Sequence, residues 1–155
     1  EETANVMRVH EDGRTWIHSG DIGYMDEDGF VFIEGRIKRM ITRFDGHKVF
    51  PINLEGLINA LEGVRNCSVV GVNDMDHSQG QYPLAIVEFA EGVVDTAAEC
   101  KEIFKLCDKN VEERGKPVAV IAVDAIPLTP FGKNDYRTLE KEYQTYDYKS
   151  WAADN

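Results

Sequence analysis

The 155-residue sequence has no apolar run close to the ~20 residues that a helix needs to cross a bilayer. Its first residues, Glu1-Glu2-Thr3, are acidic and polar, unlike a secretory signal peptide. Cations are scarce, since 17 lysines and arginines stand against 28 acids and the formal net charge is −11. This charge argues against nucleic acid or an anionic membrane as a partner for the surface as a whole. We expect a cytoplasmic protein with no membrane span.

Several chemical signatures are also missing. The three cysteines, Cys67, Cys100 and Cys107, form no CxxC pair, and one of them would be left over from any disulfide. Reduced thiols are the simplest interpretation. The four histidines are scattered without the spacing of metal ligands, so we predict no metal site. No catalytic triad, GxGxxG sequence or P-loop is present.

The residues that are present predict an α+β fold. Residues 14–36 contain three short strand patterns separated by Gly-containing turns, a small antiparallel β segment that is too small to be stable alone. After Pro51 the predicted order is helix, strand, strand, helix, strand, helix. We therefore expect a small three-stranded sheet flanked by helices, together with a two-stranded basic hairpin. Residues 1–10 show no clear start signal, so we expect the chain to be a piece of something longer, with the β segment belonging to a larger domain.

Local signals predict where the helices begin and end. Pro51 can open the first helix, and Gly63 is expected to end it. Thr96-Ala97-Ala98-Glu99 fits a capping box for the second helix, with Gly115 as its C-terminal cap. The last helix is predicted over residues 134–143. The tail to Asn155 shows no clear helical period.

The basic hairpin is the most unusual stretch, because Gly35 to Pro51 carries five cations and a single acid in an acidic chain. The cations are Arg36, Lys38, Arg39, Arg43 and Lys48. Asp45-Gly46 lies between two extended runs and is typical of a tight turn, in which Gly46 would supply a positive φ or let another molecule approach the backbone closely. The segment is either a binding element or an ordinary hairpin with its charges directed into solvent.

Two other stretches are candidates for chemistry. Ser19-Gly20-Asp21 ends a strand with a carboxylate beside a glycine, although an ordinary turn aspartate would have the same sequence. The loop from Pro127 to Arg137 has Lys133 directly after Gly132, which leaves the backbone beside the lysine open. Such a lysine is either a surface residue or a reactive group on a functional loop.

These three stretches, in this order, resemble motifs of the adenylate-forming superfamily, which contains acyl-CoA synthetases, peptide-synthetase adenylation domains and luciferases. Ser19-Gly20-Asp21 is similar to its [ST]-G-D motif, Gly35 to Lys38 to G-R-x-[DK], and Pro127 to Arg137 to P-x-T-x-x-G-K-x-x-R, with the arginine one position later than in that pattern. The resemblance runs from Trp16 to Tyr143. One departure is the loop between Thr42 and His47, which is about one residue longer than the common form.

The resemblance implies a role for each matching residue. Asp21 and Arg36 would bind the ribose of ATP, Lys38 would be a hinge between domains, and Lys133 would contact the carboxylate and α-phosphate during adenylation. Residues 46–48, Gly46, His47 and Lys48, would contact CoA. The substrates implied are a carboxylic acid, ATP with its Mg²⁺, and CoA.

The resemblance also implies a domain organisation. Residues 1–37 would be the end of a large N-terminal domain that is otherwise missing, and residues 38–155 the small C-terminal domain. We therefore expect the chain to be inactive as a ligase by itself. Two alternatives stay open: an adenylation domain that loads a separate carrier protein, and a non-catalytic α+β binding module.

Overall fold

The computed structural model describes residues 6–154 and divides the chain into two compact units, 1–38 and 39–155. This division lies one residue beyond the boundary predicted between residues 37 and 38. Residues 1–5 and 155, at the outer ends of the two predicted segments, lie outside the described part of the chain.

The first unit consists of two antiparallel hairpins. Strand β1 (Met7–Val9), which the sequence pattern did not predict, pairs with β2 (Thr15–Ile17). Strand β3 (Asp21–Met25) pairs with β4 (Val31–Arg36). Each sheet has two strands, as expected for a segment that is not stable by itself.

A bulge in the second hairpin sets its register. The pairing shifts between Ile22 and Gly23, so that Asp21 lies opposite Arg36. Only glycine fits at position 23, because a Cβ there would lie 2.3 Å from the carbonyl oxygen of Phe32. The bulge therefore brings a carboxylate and a guanidinium together at the end of the ladder.

Large apolar side chains of the first unit are exposed on both faces of the second hairpin. Val31 and Phe32 are neighbours along β4 and so point to opposite faces, yet they are 65% and 44% exposed. Tyr24 and Ile33 are exposed as well. An apolar surface of this kind is typical of an interface.

The second unit is built on a three-stranded sheet in the order β7-β8-β9, in which β7 and β8 are antiparallel and β8 and β9 are parallel. Its elements, in chain order, are β5 (Ile41–Thr42), β6 (Lys48–Val49), α1 (Pro51–Asn59), β7 (Val64–Asn73), β8 (Gln81–Phe89), α2 (Thr96–Asn110), β9 (Ala119–Val123), α3 (Tyr136–Tyr143) and α4 (Tyr148–Asp154). Short 3₁₀ turns lie at Ile37–Arg39 and Glu113–Gly115. The predicted α+β fold is confirmed.

Helices cover both faces of this sheet, which explains the continuous apolar runs in β7 and β8. On one face α1 and α2 contribute the buried residues Leu54, Ile58 and Ile103. On the other face Leu139 of α3 and Tyr148 of α4 pack on the strands. Full burial of a side chain such as Leu54 is worth about 1.5–3 kcal/mol.

Two predicted ends of α1 and α2 are wrong. Helix α1 ends at Asn59, and Gly63 lies in the turn before β7, where its carbonyl accepts a hydrogen bond from Ala90 N (2.8 Å). The N-cap of α2 is Asp95, whose carboxylate accepts from Ala98 N (3.0 Å), so no capping box forms from Thr96. The carboxylate of Asp95, one residue upstream of Thr96, caps the amide of Ala98 instead, so the helix starts one residue earlier than a Thr96 cap would allow.

The C-terminal predictions also need correction. Helix α2 ends at Asn110, and Gly115 belongs to the 3₁₀ turn that follows. Helix α3 begins at Tyr136 with Asp135 as its N-cap, two residues later than expected. The tail forms α4, which the sequence pattern missed because tertiary contacts hold it, among them the packing of Trp151 on Phe104 (centroids 5.0 Å apart).

Candidate functional site

Asp21 and Arg36 face each other across the second hairpin of the first unit. Arg36 Nε lies 3.4 Å from Asp21 Oδ1, and Arg36 Nη2 donates to the carbonyl oxygen of Ser19 (3.1 Å). The Ser19 hydroxyl in turn accepts from Asp21 N (3.3 Å). The side chains of Arg36 and Asp21 remain 63% and 33% exposed, so both can still bind a ligand.

A cavity of about 690 Å³ lies beside this pair and is lined by His18, Ser19, Gly20, Asp21 and Arg36 among others. Gly20 adopts φ +79°, which brings the backbone close to Arg36 without strain. A carboxylate can accept hydrogen bonds from two neighbouring hydroxyls, while a guanidinium donates. The arrangement can therefore bind a vicinal diol such as a ribose.

Lys38 lies between two residues that are fixed, each within its own unit. Before it, Ile37 N donates to the carbonyl oxygen of Gly20 (2.9 Å) in the first unit. After it, Arg39 is held by Glu55 in the second unit, with N···O distances of 3.1 and 2.6 Å. Lys38 is exposed, and the division between the units falls directly after it.

The loop that carries Lys133 is closed by its own hydrogen bonds. Thr129 N donates to the carbonyl oxygen of Lys133 (2.7 Å), and Lys133 N donates to Thr129 Oγ1 (3.2 Å). Gly132 N donates to the carbonyl oxygen of Thr129 (2.9 Å), and Gly132 has φ +76°. The loop thus has an ordered backbone, while the side chain of Lys133 is exposed.

Asn134 attaches this loop to the first half of β7. Its amide nitrogen donates to Ser68 Oγ (2.7 Å), and its amide oxygen accepts from Asn66 Nδ2 (2.9 Å). Ser68 is fully buried. The sequence analysis missed this contact, because the partners lie 66 and 68 residues apart and no local pattern links them.

The turn of the basic hairpin forms as predicted. Strands β5 and β6 pair through Ile41 with Val49 and Thr42 with Lys48, and Gly46 has φ +79°. The carboxylate of Asp45 accepts from His47 N (3.1 Å), and this hydrogen bond is the main reason that the pKa of Asp45 is lowered.

The hairpin cations are not all directed into solvent. Arg39 and Arg43 are only 18% and 15% exposed. Arg43 and Arg114 each place Nε 3.6 Å from the Asp45 carboxylate, and Arg43 also stacks over Tyr82 (4.5 Å to the centroid). The interpretation of the hairpin as purely solvent-directed charge is therefore wrong for these arginines.

The candidate CoA-contacting residues lie at the end of the same hairpin. His47 Nε2 is 2.9 Å from Glu112 Oε1, and its side chain is 25% exposed. Lys48 and Gly46 are exposed. A Cβ on Gly46 would meet nothing within 4 Å, so its backbone is open to a ligand.

The hairpin tip packs on the loop between β7 and β8. The rings of Phe44 and His77 are parallel, with centroids 3.7 Å apart and an interplanar angle of 5°. His77 Nδ1 lies 2.8 Å from the buried carboxylate of Asp74. The sequence analysis gave His77 no role beyond that of a scattered histidine; the short Asp-x-x-His spacing was the one available signal.

The Lys133 loop and the tip of the basic hairpin contact the second unit at different points along β7. The loop is attached at Ser68, in the middle of β7, and the hairpin tip meets Gly80, directly before β8 and hydrogen bonded to Asp74 just beyond the end of β7. At ~3.3 Å per residue, the five steps from Ser68 to Asn73 separate these two attachment points by roughly 17 Å along the strand. The Lys133 loop and the hairpin tip are therefore held at separate places on one sheet.

The described residues contain neither a candidate membrane span nor a candidate metal cluster, and their cysteines are free. Within residues 6–154 no helix is long and apolar enough to span a membrane, and no group of three or more His, Cys, Asp or Glu side chains could hold a metal ion. All three cysteines are free and buried. Burial raises the pKa of Cys100 and of Cys107 to about 11, so they are not reactive thiols at neutral pH.

Comparisons with known proteins identify relatives of this chain. The chain is 35% identical over 130 residues to 4-coumarate–CoA ligase 1 of Glycine max, covering 84% of this chain and 42% of that protein. It is 35% identical over 143 residues to 4-coumarate–CoA ligase-like 9 of Oryza sativa subsp. japonica, covering 92% of this chain and 24% of the relative. This chain thus spans less than half the length of either relative.

The fold has solved counterparts. The structure of ATP-bound MatB from Rhodopseudomonas palustris matches with a TM-score of 0.73 and 30% identity, covering 93% of this chain and 27% of that one. The family model described as the AMP-binding enzyme C-terminal domain matches residues 53–133. This chain therefore belongs to the AMP-binding enzyme C-terminal domain family, within the adenylate-forming superfamily.

Proposed function

We propose that this chain is the C-terminal part of an ATP-dependent acid–thiol ligase. In the first half-reaction a carboxylate attacks the α-phosphate of ATP, forming an acyl-adenylate and releasing pyrophosphate. In the second the sulfur of CoA attacks the acyl carbon, forming a thioester and releasing AMP. The observation that carries the proposal is the attachment of the Lys133 loop and of the hairpin tip at separate points along one strand, in a unit that follows an exposed residue, Lys38.

Lys133 is the residue proposed to act in adenylation. Two anions must approach each other, so a cation between the carboxylate and the α-phosphate lowers the barrier. The ordered backbone of its loop holds the base of the side chain in place, and its exposed ammonium is available to a ligand. Asp21 and Arg36 would bind the ribose of ATP beside the cavity of the first unit. Mg²⁺ would arrive with ATP.

The basic hairpin is proposed to act in thioester formation. Gly46 leaves the backbone open for a narrow thiol-bearing chain, while His47 and Lys48 supply polar and cationic contacts for the phosphates of CoA. A rotation at Lys38 would exchange the Lys133 loop for the hairpin, which is a hinge-type change. The names of the two curated relatives favour CoA over a carrier protein as acceptor.

The first unit is proposed to be the end of a larger domain of the same protein. The exposure of apolar side chains on both faces of its second hairpin supports this, because an interface with further strands or helices would cover them. That domain would supply the phosphate loop and the acyl pocket, neither of which has a motif in this chain. The cytoplasm is the proposed location, in keeping with three free cysteines.

The test uses the intact protein that contains this chain. Acid-dependent release of pyrophosphate from ATP is measured over a panel of aromatic, dicarboxylic and aliphatic acids, with and without CoA. We expect at least one acid to give pyrophosphate without CoA and a thioester with CoA. Absence of acid-dependent pyrophosphate over the whole panel would favour the non-catalytic binding module instead.

A further inference from the structure

Arg39 is held rigidly in the second unit immediately after the candidate hinge. Its guanidinium forms a bidentate pair with Glu55, at 3.1 and 2.6 Å, and Nη2 also donates to the carbonyl oxygen of Val69 (3.1 Å). Glu55 Oε1 accepts from Val69 N as well (2.9 Å). Because the side chains of Arg39 and Glu55 are only 18% and 11% exposed, the plane of the guanidinium is fixed.

The face of this guanidinium is covered by the ring of Tyr136. Arg39 Cζ lies 3.4 Å from the ring centroid, a close cation–π stack. Tyr136 is the first residue of α3, and its pKa is raised, chiefly by burial and next by the nearby charge of Glu55. The stack is therefore partly shielded from water, where such contacts are strongest.

Tyr136 lies three residues after Lys133, and little freedom remains between them. Asn134 is bonded to Ser68 and Asn66, and the backbone of Lys133 is closed onto Thr129. A series of groups held by contacts thus connects Arg39, through Tyr136, to the backbone of Lys133. Only the side chain of Lys133 projects from it.

We propose that the Arg39–Tyr136 stack is a positioning contact for the adenylation half-reaction, which transmits rotation at the hinge to Lys133. The inference rests on the function proposed above. Its physical reason is that a cation attached rigidly to the rotating unit reaches the same point after each rotation. A displacement of about 1 Å of such a group can slow a reaction by up to roughly a hundredfold.

The test compares Tyr136→Leu, which removes the ring, with Tyr136→Phe, which keeps it, in the intact enzyme. Tyr143→Leu, on the same helix but packed on Tyr146, is the matched control. For Tyr136→Leu we expect kcat of adenylation to fall about ten- to a hundredfold with KM for ATP nearly unchanged. Tyr136→Phe should restore adenylation to within about threefold. Thioester formation from pre-made acyl-adenylate should be unaffected in both.

A double-mutant cycle separates positioning from a general loss of structure. If Tyr136 acts through Lys133, adding Tyr136→Leu to Lys133→Ala should cause no further loss of adenylation. Additive losses would overturn the inference, and so would equal damage by Tyr136→Phe and Tyr136→Leu, or normal adenylation by Tyr136→Leu. Circular dichroism and the melting temperature establish that each variant is folded.

A second variant covers the case in which Tyr136→Leu does not fold. Arg39→Lys keeps the charge opposite Glu55 but loses the planar group that stacks on the ring. We expect the same selective loss of adenylation, and normal adenylation with this variant would reject the inference. An inactive wild-type enzyme would instead reject the proposed function, so the two failures are distinguishable.

Discussion

Phe44 and His77 stack face to face with their ring centroids 3.7 Å apart, although 33 positions separate them in the chain. The contact attaches the tip of the basic hairpin to the loop between β7 and β8. Gly80 allows the approach, because its own backbone lies against that of Phe44. The orientation of the hairpin therefore depends on a loop that contains no candidate ligand-binding residue.

Replacement of Gly80 by alanine should be strongly destabilising. Gly80 has φ +104°, and a Cβ there would lie 2.4 Å from Phe44 N. Gly92→Ala is the matched control, because Gly92 has φ +99° and a Cβ at that position would meet nothing within 4 Å. Urea unfolding should show Gly80→Ala less stable than Gly92→Ala by about 1–3 kcal/mol, the usual cost of overpacking. Equal losses of stability in the two variants would mean that the backbone segments at Gly80 and Phe44 can move apart at no cost.

Low pH should weaken the attachment of the loop between β7 and β8, because protonation of Asp74 removes the charge of its carboxylate. Burial is the largest influence and raises the pKa of Asp74, but hydrogen bonds from Asp76 N and from His77 outweigh it, so the pKa lies below the ordinary 3.8. The stability that ionised Asp74 contributes to the folded state is therefore fully present above pH 3.8. It is lost as the pH falls through the lower pKa that Asp74 has in the folded state.

Asp74→Asn, whose side chain does not titrate, tests this dependence. The difference in melting temperature between the wild type and Asp74→Asn should be constant near neutral pH and should shrink below pH 3.8. A difference that stays constant down to about pH 2 would show that ionisation of Asp74 does not contribute.

Lys133→Ala in the intact enzyme should slow adenylation by roughly a hundred- to a thousandfold, the usual loss when one charge-stabilising donor is removed. Thioester formation from pre-made acyl-adenylate should be nearly unaffected, because the loop would have rotated away. Lys141→Ala, an exposed lysine on α3, is the control and should leave both steps unchanged. Normal adenylation by Lys133→Ala would remove this residue from the proposed site.

Lys38→Pro should separate the two half-reactions. Proline fixes φ near about −65°, so the unit after residue 38 should be held in one orientation. We expect one half-reaction to survive and the other to fall sharply, while Lys38→Ala, which keeps the backbone free, should support both. Equal loss of both steps by Lys38→Pro in a folded enzyme would argue against a hinge here.

The 155-residue chain by itself should form no acyl-adenylate. It contains no phosphate-loop motif, and its first unit leaves apolar side chains exposed on both faces of a hairpin. The measurement is acid-dependent formation of AMP from ATP by the purified chain, with the intact enzyme as positive control. Any acid-dependent AMP above background would contradict the proposal that another domain supplies the phosphate loop and the acyl pocket.

The sequence by itself determined the features that depend on neighbours in the chain. Asp45-Gly46 and Pro51 specified a turn and a helix start, and the order of helix and strand patterns after Pro51 specified a small sheet flanked by helices. The three motifs located Asp21, Arg36 and Lys133 as candidates. Each of these signals is local, so it can be recognised before any packing is known.

Only the tertiary structure decided how these pieces are arranged. Arg39 looked like one more hairpin cation, but Glu55 and Tyr136 enclose it and join the candidate hinge to the Lys133 loop. The helix at residues 148–154 was not predicted from the sequence, because it is stabilised by tertiary contacts, such as that of Trp151 with Phe104, more than by its own sequence. Burial, pairing and stacking between distant residues depend on the path of the whole chain, and no local spacing encodes them.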